Sequence, residues 1–226
     1  MPPVIFDGPG GALEGIIDEP ADFAGTDFAV VCHPHPLFGG TMTNKVAHTV
    51  ARAFIKCGIA AVRFNFRGAG ASAGVHDNGI GETDDVLAVI QAGAERWPKA
   101  RLWLAGFSFG SFVALRVNAA LTTALGGMPA SAGGRLRWPP LVGLITVAPP
   151  VGRWDFTDIQ SPACPWLIIQ GDADELVAPN EVVAWSEQMR PVPQRLMLAG
   201  ATHFFHGELH HVSDAVLTFV RSHQRE

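Results

Sequence analysis

Six short apolar runs, Phe28–Cys32, Ala60–Phe66, Arg101–Gly106, Leu141–Ala148, Trp166–Gly171 and Arg195–Leu198, punctuate this chain, and most are separated by stretches with helical spacing of their apolar residues. A strand buried on both faces reads as a continuous apolar run, and strands that alternate with helices pair in parallel because each helix carries the chain back across the sheet. The pattern therefore predicts an α/β fold with a mostly parallel sheet and helices on both faces. Ahead of it, Val4–Phe6 and Leu13–Ile17 flank Asp7-Gly8-Pro9-Gly10-Gly11, a turn-rich stretch that predicts an antiparallel hairpin at one edge and about eight strands in all.

The helices are legible from the same periodicity. Val46, Val50, Phe54 and Cys57 share a face ahead of Gly58, and Val86, Val89, Ile90 and Trp97 precede Pro98. A last helix runs through Leu209, Val212, Val216, Phe219 and Val220. No internal repeat is visible, and 226 residues with 48% hydrophobic content are expected to form one domain over residues 1–226.

Between the run Leu102-Trp103-Leu104-Ala105 and an amphipathic stretch through Val113, Ala114, Val117 and Leu121 lies Gly106-Phe107-Ser108-Phe109-Gly110. A serine on a sharp strand-to-helix turn exposes its hydroxyl, but the turn brings strand and helix so close that the second neighbour on each side must be tiny. Gly106 and Gly110 meet that demand. Ser108 is thus a candidate nucleophile at a helix N-terminus, where free N–H groups favour negative charge.

Composition excludes several classes. A net charge of −5 leaves no basic footprint for nucleic acid, and no apolar run reaches the length of a membrane span. With no leader pattern, the expectation is a soluble, cytoplasmic protein that binds neither nucleic acid nor membrane. The three cysteines, Cys32, Cys57 and Cys164, show no metal-ligand spacing and read as reduced and structural. Tyrosine is absent, which removes every mechanism that needs a phenol.

Thr122–Pro140, rich in Gly, Ala and Pro, reads as a flexible insertion (residues 122–140). A helix that starts at the edge of the sheet bearing Ser108 ends at the opposite edge, about 1.5 Å per residue away, so the insertion is expected far from Ser108. The connection Pro149–Pro165 does leave the edge bearing Ser108, and its shortness predicts an open site with no cap domain.

Serine needs a histidine to accept its proton, and that imidazole needs a carboxylate to hold its tautomer. The run Trp166–Gly171 ends in Gly171-Asp172-Ala173-Asp174-Glu175, and Arg195–Leu198 leads into Ala199-Gly200-Ala201-Thr202-His203-Phe204. Ser108, Asp174 and His203 all follow strands, at the edge where open α/β sheets gather functional groups, and in the chain order Ser, Asp, His.

With Cys32-His33-Pro34-His35-Pro36, Phe64-Asn65-Phe66-Arg67-Gly68, the glycine-serine turn, Gly171-Asp172-Ala173-Asp174 and Thr202-His203-Phe204, the chain resembles a small, lidless member of the α/β-hydrolase superfamily. The resemblance covers about Phe28 to Val220 and lies close to bacterial serine hydrolases of dienelactone-hydrolase-like architecture. It implies that the acid is the aspartate three positions after the strand-ending glycine, Asp174, with Asp172 as the fallback. Dienelactone hydrolases proper use cysteine as nucleophile, and this turn holds serine.

An oxyanion hole needs two N–H donors, one of them from the residue after the nucleophile, Phe109. His33-Pro34-His35-Pro36 resembles the family's H-G-x-P loop with proline in place of glycine, which implies the His35 amide as the second donor and leaves Leu37 as the alternative. Pro34 and Pro36 carry no N–H. Leu37, Phe38, Met42, Trp154, Phe156, Phe204 and Phe205 lie in loops beyond strand ends and are candidates to line an acyl pocket.

Other features are read as structural. His206 and His210 are four apart, but no Asp, Glu or Cys is placed to complete a ligand set with them or with His203, so no metal is expected and His206, His210 and His211 read as exposed residues of a helix's first turns. His33 is expected to brace its loop. Gly68-Ala69-Gly70 lacks the spacing of a dinucleotide site, and Asp84 and Asp85 read as helix-start charges. The expected activity is hydrolysis of a carboxylic ester or thioester by Ser108, His203 and Asp174, without a cofactor. A peptidase, an amidase, a cofactor-free haloperoxidase and a non-catalytic binding protein are the alternatives. The expected partner is a small-molecule ester, and a homodimer through an exposed edge strand is left open.

Overall fold

The computed structural model describes residues 3–126 and 138–224. The chain opens with an antiparallel pair, β1 (Val4–Gly8) and β2 (Gly11–Asp18), in which Gly8 faces Gly11. It continues through β3 (Asp27–Cys32), α1 (Lys45–Lys56), β4 (Ala60–Phe64), α2 (Ile80–Arg96), β5 (Arg101–Phe107), α3 (Phe109–Gly126) and β6 (Leu141–Val147). Then follow β7 (Trp166–Gly171), α4 (Pro179–Ser186), β8 (Gln194–Leu198) and α5 (Leu209–His223). The strands form one sheet in the order β1-β2-β4-β3-β5-β6-β7-β8, antiparallel at β2 and parallel from β4 to β8.

The period-2 geometry of the strands divides the core in two. Phe28, Val30 and Cys32 of β3 and Leu102 and Leu104 of β5 face α2 and α3, whereas Ala29, Val31, Trp103, Ala105 and Phe107 face α1 and α5. Burying a side chain the size of Phe28 contributes about 1.5–3 kcal/mol, and such burial on both faces is what packs the helices against the sheet. The helix ends follow from local chemistry. Asn44 Oδ1 accepts the N–H groups of Val46 and Ala47 to start α1, and Gly58, at φ 79°, turns the chain away after it. Glu82 reaches back from the first turn of α2 to accept the N–H of Gly79 at 2.7 Å.

Two expectations need correction. Asp84 and Asp85 do not open a helix, because α2 already starts at Ile80. Asp85 is instead buried and pairs with Arg67, whose Nη2 and Nε donate to its two oxygens at 2.7 and 3.0 Å. Of the insertion expected over residues 122–140, residues 122–126 instead continue α3, and residues 127–137 lie outside the described residues. The chain re-enters at the edge away from Ser108, where the Pro140 carbonyl accepts the N–H of Leu102 at 2.8 Å.

Beyond β6, the connection to β7 contains a single isolated bridge, Val151 to Trp154, and no helix or strand of a cap among the described residues. No described helix is long and apolar enough to cross a membrane. The chain thus presents the carboxyl ends of β3 to β8 under loops alone.

Candidate active site

β5 ends at Phe107 and α3 begins at Phe109, so Ser108 makes the reversal by itself, at φ 52°. Left-handed backbone costs a residue with a Cβ about 1 kcal/mol, and here neighbouring bonds hold it in place. The Ser108 N–H donates to the Val147 carbonyl at 2.8 Å, and the Ser108 carbonyl accepts the N–H of Ser111 at 2.8 Å. The buried Ser111 hydroxyl lies 2.7 Å from the Gly106 carbonyl and accepts the N–H of Val147 at 3.1 Å, which ties the turn to β6. A Cβ on Gly106 would overlap the Gly110 carbonyl, and one on Gly110 would overlap the Cys32 carbonyl, so both glycines are required by backbone contact.

The three residues from separate strand ends meet. Ser108 Oγ lies 3.0 Å from His203 Nε2, and His203 Nδ1 lies 2.9 Å from Asp174 Oδ2. A carboxylate on Nδ1 places the proton there and leaves the Nε2 lone pair toward the serine. Asp174 is itself fixed: Oδ1 accepts the N–H groups of Leu176 and Val177 at 2.9 and 2.8 Å, and Oδ2 accepts the Gln170 amide at 2.9 Å. Burial alone would raise the Asp174 carboxyl, but the His203 hydrogen bond, the two amides and the nearby imidazole charge outweigh it, and its pKa falls below the ordinary value. Asp172 is exposed, accepts the Gly200 N–H at 2.6 Å and makes no bond to His203. Between the two aspartates, the geometry puts Asp174 on the histidine.

The loop after β3 forms the opposite wall. His33 is fully buried, with Nδ1 2.6 Å from the Pro34 carbonyl and Nε2 accepting the N–H of Phe66 at 3.0 Å, so it braces the loop as a neutral ring. Burial pushes its pKa down to about 4, against the raising influence of the Pro34 bond. Next, His35 opens a short 3₁₀ turn, Pro36–Phe38, and its Nδ1 accepts the N–H of Leu37 at 3.2 Å. The Leu37 amide is thereby occupied. The N–H groups of His35 and Phe109 have no partner among the described hydrogen bonds, the latter because the first turn of a helix lacks acceptors.

The His35 ring packs on Phe109, Phe38 and His76, with centroids 4.8, 4.8 and 4.5 Å away. His76 packs on Phe109 as well, and its Nδ1 lies 2.8 Å from the fully buried Glu82 carboxylate. One imidazole therefore supports the side chains of both residues whose amides are free. Burial, and then the charge of His76, lowers the His35 pKa, while Glu82 opposes them.

Ser108, His203 and His35 border a cavity of about 470 Å³ that is completed by Pro34, Phe38, Gly39, Gly40, Asn44, Arg153, Leu176 and Phe204. Of the residues expected to line a pocket, Phe38 and Phe204 do so. Leu37 is exposed outside the lining. Met42 is buried, because its N–H donates to Asn65 and its carbonyl accepts from Arg63, which draws it inward. Trp154 stacks on Phe112 and packs on Phe109, under the loop. Phe156 and Phe205 are core residues. Asn44, Arg153, Leu176, Gln170, His76 and Glu82 went unnoticed in the sequence. Arg153 and Leu176 sit in loops beyond strand ends, which was the available signal.

His206 precedes α5 rather than lying in it, and His210 and His211 are exposed in its first turn. The acidic neighbour missing from the sequence reading is Glu208, which lies just before α5, and the ligand atoms of Glu208, His210 and His211 lie within 4.8 Å of one another. This surface group is remote in sequence from Ser108 and does not line the cavity.

Residues 30–155 match the family model described as serine aminopeptidase, S33. The fold and sequence are similar to those of XC6422 from Xanthomonas campestris, an α/β serine hydrolase without a lid. The two share 43% identity and a TM-score of 0.85 over 98% of this chain and 94% of the other. An α/β serine hydrolase homologue from Coxiella burnetii is 38% identical over 96% of each chain, also with a TM-score of 0.85. The protein RP471 of Rickettsia prowazekii (strain Madrid E) is 30% identical over 229 residues, which span 97% of this chain and 89% of that one.

Proposed function

Because the chain belongs to this family of α/β-fold serine hydrolases, we propose that it cleaves a carboxylic ester or thioester through Ser108, His203 and Asp174. The observation that carries the reading is the unbroken path from Ser108 Oγ to His203 Nε2 at 3.0 Å and from His203 Nδ1 to Asp174 at 2.9 Å, opening on a cavity large enough for a small acyl group.

In this mechanism His203 Nε2 takes the Ser108 proton as Oγ attacks the carbonyl carbon. Asp174 keeps the other ring nitrogen protonated and stabilises the imidazolium that forms. The amides of His35 and Phe109 donate to the oxyanion. His203 then returns the proton to the departing alkoxide or thiolate, leaving Ser108 acylated. A water molecule deprotonated by His203 attacks the acyl carbonyl, and His203 gives that proton to Ser108 Oγ as the acid leaves. The three unpaired cysteines suit a reducing compartment such as the cytoplasm.

A fluorophosphonate probe tests the reading directly. Wild type is expected to be labelled on Ser108, and Ser108→Ala, folded to the same melting temperature within a few degrees, is expected to remain unlabelled. Wild type that resists labelling overturns the proposal. The description of the matching family favours peptide bonds as a second reading. Aminoacyl anilides assayed beside the corresponding esters decide between them, because an amide leaving group demands a proton from His203 before it departs.

A further inference from the structure

Once the reacting groups are set aside, the remaining polar side chains of the cavity share one property: they donate. Asn44 spends its Oδ1 capping α1, which leaves the Nδ2 hydrogens. Arg153 donates Nη1 to the Leu176 carbonyl at 3.0 Å, and its Nη2 and Nε are unengaged among the described hydrogen bonds. None of the described ion pairs includes Arg153. Among the carboxylates of neighbouring loops, Glu175 accepts the His203 N–H and Asp155 accepts both the N–H and the hydroxyl of Thr157, while Glu181 lies against Gly152, next to Arg153 in sequence, without forming one of the described ion pairs with it. The rest of the lining offers apolar surface from Phe38, Leu176 and Phe204. An unpaired guanidinium with a free N–H edge, tethered at the mouth of a cavity whose walls are largely apolar and whose lining holds no other Arg, Lys, Asp or Glu, matches a carboxylate in shape and charge.

We propose that Arg153 forms an anion subsite and that the substrates of this enzyme are esters or thioesters carrying a second, ionised carboxylate beyond the scissile bond. This rests on the hydrolase reading above. Catalysis consumes no part of the subsite. The guanidinium holds the distant carboxylate while the apolar walls hold the chain between, so the charged end fixes how far the scissile carbonyl enters toward Ser108. Because Arg153 is exposed, the attraction is screened, and a discrimination of about tenfold is expected rather than thousands.

The test compares nitrophenyl esters with acyl chains of equal length, one ending in a methyl group and the other in a carboxylate. A parallel pair places the carboxylate on the phenol instead, to separate an acyl-side from a leaving-group-side anion. Wild type is expected to favour one carboxylated ester by about tenfold in kcat/KM, mainly through KM, with the preference shrinking as salt rises. Arg153→Met should collapse that ratio, Arg153→Lys should keep part of it, and Arg153→Glu should invert it. If Arg153 only clasps the loop to Leu176, the variants change both esters together and the ratio stays, which overturns the proposal. A wild-type preference for the neutral esters overturns it as well. Fluorophosphonate labelling of the same samples separates the two levels: labelled enzyme without charge preference sinks only the subsite, and unlabelled enzyme sinks the hydrolase reading and the subsite with it.

Discussion

The floor of the cavity and its mouth are built on opposite terms. On and just beneath the floor, His33 is fully buried, His203 and Asp174 nearly so, and every one of these side chains is hydrogen-bonded through more than one atom. At the mouth, Phe38 is 84% exposed and Leu176 and Phe204 are 41% exposed, with no side-chain polar group to anchor them. Floor residues stand where strands end, so the sheet itself dictates their positions. Mouth residues stand on loops that can change sequence without disturbing the sheet. The chemistry is thereby insulated from the specificity.

Substitutions can break this contrast or sharpen it. Asp174→Asn should leave the fold intact and lower kcat on an activated ester by about 10⁴-fold, near 5.5 kcal/mol, by favouring the wrong imidazole tautomer. Asp172→Asn should change kcat by less than about threefold, since its contact is with Gly200. The reverse result would move the acid to Asp172.

A floor glycine should matter to stability instead. Gly110→Ala drives a methyl group into the backbone of Cys32, and urea denaturation should show a loss of about 2–4 kcal/mol.

His33 makes the floor sensitive to acid. Folded, it stays neutral down to about 4, whereas in the unfolded chain it takes a proton below the ordinary imidazole value of 6.5. Its contribution is therefore complete above 6.5 and is lost as pH falls toward about 4, a span worth about 3 kcal/mol. Denaturation curves at several pH values should show that slope in wild type and a flatter one in His33→Gln. Equal slopes would mean that the ring is not held neutral.

The smallest effect belongs to the mouth. Phe38→Ala should raise KM for long acyl chains by about threefold and leave kcat alone, because a ring this exposed buries only part of its area on binding. A large fall in kcat would join Phe38 to the floor.

The same division decided what could be read from the sequence. Strands β3 to β7 were visible because most of their residues are buried on both faces, and β8 by its short apolar run alone. Ser108 was visible because Gly106 and Gly110 are demanded by local sterics, and Asp174 and His203 because each follows a strand in the chain order Ser, Asp, His. Helix α4 was invisible: with only Val182 and Ser186 buried, it has no apolar period. Gln170 was hidden inside a buried strand, where alternation says nothing about which polar atom it will meet. His76 reaches Glu82, His35 and Phe109 only through the path of the loop between β4 and α2, and no spacing encodes such a path. Asp85 looked like a helix-start charge until the fold brought Arg67 to it, eighteen residues away in sequence. Local sterics are written in the sequence, whereas partnerships across loops are written in the fold.

The left-handed turn at Ser108 has an evolutionary corollary. A residue with a Cβ is disfavoured there by about 1 kcal/mol, and glycine would sit without that strain. Stability alone would favour glycine over serine at position 108, so under the proposed mechanism the use of the hydroxyl is what offsets that strain. Gly106 and Gly110 are under a different constraint, because backbone contact would punish their loss in a dead enzyme as much as in a live one. Among relatives that have given up hydrolysis, position 108 should vary first, and the two glycines should survive as the fossil of the site.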